Sequence, residues 1–420
     1  MSVKILHFAD AHIDAYTGGR LDPNNGLSWH TNDFLKALDE IIETAIGEQV
    51  QLVLFAGDAY RTAAPVPTFQ REWQRRMFRL SQARIPTVMI PGNHDISNNV
   101  FKAGALQELD TLQVPYLHLA AKGIHLYTPQ ELDGVPLQVL AVPWMPLSLV
   151  AAQDKENKKT PEERAAEMET AIIRRIQDRI EQADPETPLI LLAHYSVQGS
   201  KYPSGQMAEL GRDVTLSRSL VCDPAFSYTA LGHIHLFQDL NEGAQPPVVY
   251  PGSIERVDYG EAREKKGFVI AEVENHHTEY SFRELHTRRM YNLQYEAKDA
   301  DSIQDDLLAL LPSPDEAQDA MIRLTITYPH EFESKISERE LRKQAEGALD
   351  FQLKRKPYMR TARGSSPKIS AVSLPKICWR LIVRLQKQVK RKRKLSAALQ
   401  RRSSGKPHRH YRRIFRCQKL

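Results

Sequence analysis

The sequence predicts an α/β fold organised around a largely parallel sheet. Short apolar runs, predicted to be buried strands, alternate with longer stretches whose apolar residues recur at helical spacing. Polar, reactive side chains follow several of these runs directly, at the end where open α/β sheets carry their functional groups. Strand and helix alternating in this way imply right-handed crossovers between parallel strands.

The first half of the chain contains three strands and two helices in strict alternation. The strands are predicted at residues 3–9, 52–55 and 87–90. Thr31, Asn32 and Asp33 are expected to cap the first helix, and the second helix is expected over residues 69–83. The third strand leads into Pro91-Gly92-Asn93-His94-Asp95, a tight turn that places three polar groups side by side.

Further strands are predicted at 137–142, 189–193, 228–231 and 248–250, and a closing hairpin at 267–285. The sequence Thr160-Pro161-Glu162-Glu163 is typical of a capping box at the start of a helix that extends to about residue 183. From residue 288 the order strand, helix, strand, helix predicts a small α+β unit. We therefore expect a domain over 1–287, a small domain over 288–350 and a tail over 351–420.

The net charge of +5 conceals two segments of opposite charge. Of the 57 Lys and Arg residues, 23 lie after residue 350, where there is no Asp or Glu, which leaves 34 basic against all 52 acidic residues before it. The body of the protein is therefore acidic, and its overall pI does not predict nucleic-acid binding.

Neither a leader nor a membrane span is predicted. No window approaches the apolar length needed to cross a bilayer, and Met1-Ser2 leads straight into the first strand. The three cysteines, Cys222, Cys378 and Cys417, have no metal-like or paired spacing. These features favour a cytoplasmic protein without a membrane partner, and they exclude a thiolate zinc site.

Seven residues near the ends of predicted strands carry oxygen or nitrogen donors: Asp10, His12, Asp58, Asn93, His194, His233 and His235. Such a set suits Mn²⁺, Fe²⁺ or Zn²⁺, and seven ligands are too many for one ion and enough for two. Two ions need a bridging carboxylate, and Asp58 is the natural bridge. Two metals sharing a water would generate hydroxide and stabilise an in-line displacement at phosphorus. The expected reaction is phosphoester hydrolysis.

Each part of this pattern also has an ordinary structural interpretation. A single Asp-x-His is usually a turn, a Gly-Asp after a strand is usually a helix N-cap, and a His-x-His is usually two side chains on one face. The joint occurrence of the motifs in this order, each after an apolar run, favours the functional interpretation. His7, His118, His125 and His286 match no motif and are expected to be ordinary core or surface residues.

The series Asp10-x-His12, Gly57-Asp58, Gly92-Asn93-His94-Asp95, His194 and Gly232-His233-x-His235 resembles the calcineurin-like metallophosphoesterase superfamily. Tyr250-Pro251-Gly252-Ser253, Gly260-Glu261 and Lys266-Gly267-Phe268 are similar to the SbcD-type DNA repair exonucleases, the nuclease subunits of the SbcCD complex. The resemblance covers about residues 1–350 and implies a four-layer α/β/β/α sandwich with a small capping, DNA-recognition domain.

The resemblance implies a role for each candidate residue. Asp10, His12, Asp58 and His235 would hold one Mn²⁺, and Asp58, Asn93, His194 and His233 would hold the other. His94 would be the catalytic side chain that stabilises the transition state or protonates the leaving oxygen. Asp95 would be a structural or supporting residue.

The chain departs from the family pattern after Asp58, where Ala59, Tyr60 and Arg61 replace an aromatic residue followed by Asp or His. Arg61 and Arg256 are candidate substrate contacts. A solvated surface charge is the competing interpretation of Arg61.

The resemblance implies DNA as substrate, a homodimer and a coiled-coil ABC-type ATPase partner similar to SbcC. Three interpretations of the 351–420 tail remain open: a partner-binding basic helix within 379–399, a disordered nucleic-acid arm, or a stretch translated out of frame. The loss of every carboxylate favours the last.

The predicted function is that of a Mn²⁺-dependent DNA exonuclease and endonuclease acting in DNA repair. The first alternative is a phosphodiesterase of small phosphoesters or nucleotides. The second is a non-catalytic scaffold that kept the fold for protein binding, and this alternative predicts broken ligands, whereas all seven are present.

Overall fold

The computed structural model describes residues 2–15, 20–96, 104–146, 159–203 and 214–359 of the chain. Internal contacts divide the chain into Met1–Met359 and Arg360–Leu420, and every described residue belongs to the first unit. The tail interpretations beyond residue 359, including the basic helix within 379–399, lie outside the described residues. Within the described ranges, no helix is both long and apolar enough to cross a bilayer.

Two six-stranded sheets form the body of the described chain. The first sheet has the order β14-β13-β1-β2-β3-β4. Its strands are β1 (Val3–Phe8), β2 (Leu52–Phe55), β3 (Thr87–Met89), β4 (Leu117–Leu119), β13 (Gly267–Glu274) and β14 (His277–Glu284). Strands β1 to β4 are parallel, whereas β13 and β14 are the antiparallel hairpin that the sequence predicts.

The second sheet has the order β11-β12-β10-β7-β6-β5. Its strands are β5 (His125–Tyr127), β6 (Gln138–Val142), β7 (Leu189–His194), β10 (Tyr228–Gly232), β11 (Gln238–Asp239) and β12 (Val248–Tyr250). The four central strands are parallel, and the two edge strands are antiparallel. A separate two-stranded ladder joins β8 (Ser196–Val197) to β9 (Thr215–Leu216).

The helices of the body are α1 (Trp29–Gly47), α2 (Pro67–Gln82), α3 (Gln107–Leu112), α4 (Pro161–Ile180) and α5 (Arg218–Val221). Alternate residues of each strand enter different cores, as the two-residue period of a strand requires. Leu6 and Phe8 of β1 pack with α1 and α2, whereas Val3 and Ile5 pack against the second sheet. The other face of the second sheet packs on α4. The mixed α/β fold with several sheets is thereby confirmed.

The sequence predicts N-caps for α1 and α4. The predicted cap of α4 is correct, and that of α1 is wrong. At α4, the Thr160 hydroxyl accepts the backbone N–H of Glu163 and the Glu163 carboxylate accepts that of Thr160, so the capping box is confirmed. At α1 the N-cap is Ser28, whose Oγ accepts the N–H of Thr31. Of the side chains expected to cap this helix, the Thr31 hydroxyl contacts that of Ser28, whereas Asn32 donates to Asp22 and Asp33 binds Arg288.

A third, three-stranded parallel sheet forms a small unit at the end of the described chain, with the order β15-β16-β17. It comprises β15 (Met290–Glu296), α6 (Ile303–Leu310), α7 (Pro314–Ala317), β16 (Met321–Pro329), α8 (Glu338–Gln344) and β17 (Asp350–Tyr358). We call residues 290–358 the small unit. Its core contains Ile322, Leu324, Ile326 and Tyr328 of β16.

Strand β17 crosses the boundary that the composition placed at residue 351. Phe351 and Leu353 pack on the core of the small unit, and the guanidinium of Arg342 lies 5.6 Å from the centroid of the Phe351 ring. All nine residues of β17 are in register with β16, from Asp350 opposite Met321 to Tyr358 opposite Pro329. The loss of carboxylates therefore begins inside a paired strand, before residue 360.

Ending the chain after Leu349 is expected to open the small unit, whereas ending it after Met359 should leave it folded. The shorter variant lacks β17, so β16 loses a hydrogen-bonded neighbour and part of its core. We expect the β16 amides of the shorter variant to lose on the order of 10²-fold protection from hydrogen exchange relative to the longer one. Equal protection in the two variants would show that β17 contributes nothing to the unit.

Candidate metal centre

Strands of both six-stranded sheets end at one edge of the molecule, and polar side chains collect there. The first sheet contributes the residues that follow β1, β2 and β3, and the second contributes the last residue of β7 and the residues that follow β10. The structure brings all seven residues singled out in the sequence to this edge: Asp10, His12, Asp58, Asn93, His194, His233 and His235.

The backbone is strained where it presents these side chains. Non-glycine residues adopt a positive φ at four of the seven positions: Asp10 at 51°, His12 at 38°, Asp58 at 61° and His233 at 95°. Each such conformation costs on the order of 1–3 kcal/mol and persists only where the surroundings enforce it. Backbone hydrogen bonds between neighbouring strand ends do so here, with Asp10 N–H donating to Gly57 and His12 N–H donating to Asp58. Strain of this kind is typical of functional sites.

A first group of donors surrounds Asp10. The ligand atoms of Asp10, His12 and His235 all lie within 4.8 Å of one another. The Nε2 atoms of His12 and His235 are 3.1 Å apart, and Oδ2 of Asp58 lies 3.6 Å from Nε2 of His12. These four residues could hold one ion.

A second group adjoins the first and contains Asp58, whose ligand oxygen lies within 4.8 Å of the ligand atoms of Asp10 and His194. Oδ2 of Asp58 lies 3.4 Å from Nε2 of His194. The side-chain oxygen of Asn93 is 3.1 Å from the same nitrogen and 3.0 Å from Nδ1 of His233. The same carboxylate oxygen thus faces both groups, which is the position that a bridging ligand needs.

Backbone carbonyls fix the proton positions on two of the imidazole rings. Nδ1 of His12 donates to the carbonyl of Tyr60 at 3.2 Å, and Nδ1 of His194 donates to that of Ala56 at 2.6 Å. In each neutral ring the Nε2 lone pair therefore points into the cluster. At His194 this lone pair faces the side-chain oxygen of Asn93, so two hydrogen-bond acceptors face each other without a proton between them. A cation between such atoms turns a repulsive contact into two favourable ones.

The charges of the cluster also fit cations. Burial raises the pKa of Asp10 well above its ordinary value, and the negative charge of Asp58 raises it further. Burial acts in the same direction on the pKa of Asp58, but when His194 and His12 are protonated their positive charge outweighs burial and holds that pKa well below its usual range. Two buried carboxylates with oxygens within 4.8 Å of each other are stabilised by a divalent cation, and oxygen and nitrogen donors without sulfur suit Mn²⁺, Fe²⁺ or Zn²⁺.

His94 lies beside the cluster and outside both groups. Its backbone N–H donates to Oδ1 of Asp58 at 2.9 Å, and its Nδ1 donates to the carbonyl of Arg61 at 3.0 Å. The rings of His94 and His12 are 5.2 Å apart between centroids. The contact to a carbonyl places the Nδ1 proton, so Nε2 of the neutral ring is available to exchange a proton with a bound molecule.

The two arginines singled out in the sequence lie in different places. Arg61 lines the cavity over the cluster, together with His94 and Asp258. Arg256 is not among the described residues that line this cavity. Its guanidinium donates to the hydroxyl of Thr287 and to the carbonyls of Arg288 and Glu264. Those three contacts hold the segment between β14 and the small unit against the body.

Asp95 has a clear structural role that the sequence left open. Its buried carboxylate accepts the backbone N–H groups of Asp58 at 2.8 Å, Ala59 at 3.3 Å, Tyr60 at 3.2 Å and Gly92 at 3.0 Å. The bonds join the turn after β2 to the turn after β3. Asp95 therefore sets the distance between the backbone that carries Asp58 and the backbone that carries Asn93 and His94.

Gly92 is required because the Asp58 carboxylate occupies the space that a side chain would need. A Cβ built at Gly92 would lie 2.1 Å from Oδ1 of Asp58 and 2.7 Å from its backbone nitrogen. Real Cβ atoms do not approach other atoms so closely, so any other residue must displace Asp58.

Replacing Gly92 by Ala is therefore expected to weaken metal binding without removing a ligand. Displacing the shared Asp58 carboxylate perturbs both groups, and we expect Mn²⁺ affinity to fall at least about 10-fold, at the lower end of the effect of disturbing ligand orientation. Isothermal titration calorimetry with Mn²⁺ measures this affinity. Gly47→Ala is the control, because a Cβ there would meet no atom within 4 Å. Unchanged affinity in Gly92→Ala would contradict the assigned position of Asp58.

The sequence did not reveal the role of Glu261 or Lys266, although both belong to segments that carry the family resemblance. Oε1 of Glu261 accepts Nδ1–H of His235 at 2.7 Å, and Nζ of Lys266 lies 2.8 Å from Oε2 of Glu261. Both side chains are buried. Glu261 lies 26 positions from His235, and no spacing rule connects them.

The strand-end donor groups form a candidate site for two metal ions. A family model described as calcineurin-like phosphoesterase matches residues 3–237, more than half of the chain. The chain belongs to this family. The matched range ends just beyond His235 and so contains every residue of both donor groups.

One curated relative is the DNA double-strand break repair protein Mre11 of Archaeoglobus fulgidus, which is 25% identical over 329 residues. The alignment covers 74% of this chain and 66% of that protein, just under two thirds of its length.

Two solved structures were also matched. One is the crystal structure of TT1561 of Thermus thermophilus, with 16% identity, a TM-score of 0.39 and coverage of 67% of this chain and 99% of that chain. The other is a dimetal phosphatase from Danio rerio, with 10% identity, a TM-score of 0.40 and coverage of 66% and 98%. The family assignment depends on the match over residues 3–237 and not on these structures.

Proposed function

We propose that this phosphoesterase is a metal-dependent DNA exonuclease and endonuclease that acts in DNA repair. The observation that carries the proposal is the position of Asp58, whose Oδ2 lies within 3.6 Å of a ligand nitrogen in each donor group. A site of this form is suited to hydrolysis of phosphodiesters. The similarity to an archaeal protein named for double-strand break repair favours DNA as the substrate.

The proposed ligands of one ion are Asp10, His12, Asp58 and His235, and those of the other are Asp58, Asn93, His194 and His233. Mn²⁺ is the proposed metal, since it accepts mixed carboxylate, amide and imidazole ligands. Two bound ions would supply Lewis acidity and a nucleophile that is active near neutral pH. His94 is the proposed catalytic side chain, because its doubly protonated ring, with the Nδ1 proton bound to the Arg61 carbonyl, can donate the Nε2 proton to the leaving oxygen.

The size of the cavity favours a polymer over an enclosed small molecule. It measures about 130 Å³, whereas sites that enclose drug-sized ligands measure roughly 300–1,000 Å³. A phosphate group fits there, and the nucleosides on either side of it must lie on the surface. Arg61 lines the cavity, so its guanidinium is proposed to contact a phosphate oxygen.

We propose that residues 1–287 form the nuclease domain and that residues 288–350, extended by β17 to Tyr358, form the DNA-recognition domain. A homodimer, a partner ATPase similar to SbcC and a cytoplasmic location complete the proposal.

The test compares two substrates with one preparation of the full chain. End-labelled duplex DNA and a small chromogenic phosphodiester are each incubated with Mn²⁺ or Mg²⁺, with and without the ATPase partner. The proposal expects Mn²⁺-dependent degradation of the duplex. Turnover of the small diester without DNA cleavage or binding at low salt would favour the small-molecule phosphodiesterase instead. Failure to bind Mn²⁺ at all would favour the non-catalytic scaffold.

A further inference from the structure

Glu261 is the outer partner of one imidazole ring in the metal centre, and the mechanism above does not use it. His12 and His194 donate their Nδ1 protons to backbone carbonyls, whereas His235 donates to the Glu261 carboxylate at 2.7 Å. A carboxylate makes the ring more basic and fixes its orientation more firmly than a carbonyl does. His235 is thus held by a side chain from a 3₁₀ turn and not by the backbone of a strand end.

A buried cation holds Glu261 in turn. Lys266 is fully buried, and its Nζ lies 2.8 Å from Oε2 of Glu261 and donates to the backbone carbonyl of His235 at 2.9 Å. Oε2 of Glu261 also accepts the backbone N–H of Val257 at 3.0 Å. The carboxylate is therefore charged and fully engaged, and the same lysine fixes both the ring partner and the backbone of His235.

Glu261 belongs to a short 3₁₀ turn, Tyr259–Glu261, on which all three strands of the small unit converge. Met290 of β15 and Met321 of β16 form a buried cluster with Tyr259. The guanidinium of Arg323, also on β16, lies 3.9 Å from the centroid of the Tyr259 ring. The Tyr259 hydroxyl donates to the carboxylate of Asp350 on β17 at 3.0 Å.

These contacts form a continuous path from the small unit to the metal centre. Two residues fix the Tyr259 ring: Arg323, whose guanidinium is itself bound to Gln352, and Asp350. Tyr259 lies two residues before Glu261 in the same tight turn. A shift of the small unit that moved Tyr259 would move the carboxylate that orients His235.

We propose that Glu261 is a positioning residue for His235 and that contact of the small unit with the Tyr259–Glu261 turn sets the metal affinity of the His235 group. The inference depends on the proposed metal site but not on the nature of the substrate. Coupling between two sites is reciprocal, so metal binding must also strengthen the contact between the turn and the small unit. A molecule that displaces the small unit would thus loosen one of the two ions.

Mn²⁺ titration of the full chain, followed by electron paramagnetic resonance, tests the proposal through two variants. Glu261→Gln keeps the shape of the side chain and removes its charge, and we expect one of two Mn²⁺ sites to weaken by roughly 10- to 100-fold. Arg323→Ala changes a residue of the small unit outside both donor groups, and we expect the same site to weaken by about fivefold or more. Thermal melts establish that each variant is folded.

Arg342→Ala is the matched control. Like Arg323, Arg342 is a cation of the small unit that lies over an aromatic ring, in this case the ring of Phe351. Its Mn²⁺ affinity should equal that of the unchanged chain. Hydrogen exchange supplies a second readout, in which Mn²⁺ is expected to protect β16 and β17 in the unchanged chain and not in Glu261→Gln.

Wild-type affinity in both test variants would overturn the proposal and leave the proposed function intact. Weakening in Glu261→Gln alone, with wild-type affinity in Arg323→Ala, would overturn the coupling to the small unit. An unchanged chain that binds no Mn²⁺ would instead overturn the proposed function itself. The three failures are therefore distinguishable.

Discussion

Asp58→Asn is expected to abolish metal-dependent phosphoester hydrolysis by the chain. The Asp58 carboxylate faces both donor groups, at 3.6 Å from Nε2 of His12 and 3.4 Å from Nε2 of His194. An amide in its place removes the shared negative charge from both groups. We expect the rate of phosphodiester cleavage to fall by about 10³-fold or more, the effect of losing several kcal/mol of transition-state stabilisation. Initial rates at saturating Mn²⁺ measure this loss.

Metal binding must fall together with the rate in Asp58→Asn if Asp58 bridges two ions. Asp110→Asn provides the control, because Asp110 is a surface carboxylate paired with Lys122 at 3.1 Å. It should keep both Mn²⁺ sites and the full rate. Loss of a single Mn²⁺ in Asp58→Asn, with the other bound at its normal affinity, would show that Asp58 serves one group alone.

His94→Ala is expected to separate catalysis from metal binding. His94 touches the cluster through its backbone, and its ring lies outside both donor groups. Removing a positioned general acid costs roughly 10²- to 10⁴-fold in rate. We expect a loss in that range in single-turnover cleavage of duplex DNA, with unchanged Mn²⁺ stoichiometry in the same preparation.

The control for this variant is His118→Ala, since His118 is a partly buried histidine of β4 that is paired with Asp133 at 3.2 Å. It should cleave at the normal rate. Reduced Mn²⁺ affinity in His94→Ala would make His94 a ligand, and an unchanged rate would remove it from the mechanism.

The composition of the candidate site was predictable because its residues follow strands. Apolar runs such as the one before Asp58 identify buried strands, and parallel strands end at one edge, so Asp10, Asp58 and Asn93 could be placed together from the sequence. The same rule placed His194 and His233 at strand ends, and their strands belong to the second sheet.

Other features were not predictable because they depend on contacts between distant segments. The pairing of Glu261 with His235 arises from the turn after β12 and has no periodic signal. Strand β17 was hidden by its basic composition, since Lys354 and Lys356 point outward while Phe351 and Leu353 pack on the core. Arg256 carries a charge typical of a substrate contact, but its guanidinium is engaged by Thr287 and by two carbonyls.

The donor groups draw on two separate sheets, and this arrangement has a consequence for assembly of the protein. Asp58 and Asn93 come from the first sheet, whereas His194 and His233 come from the second, so each bound ion would act as a cross-link between the sheets. Neither sheet alone can complete a group, and metal uptake must follow their association. Mn²⁺ should therefore raise the melting temperature in a concentration-dependent manner, and metal loading should be a late step of folding.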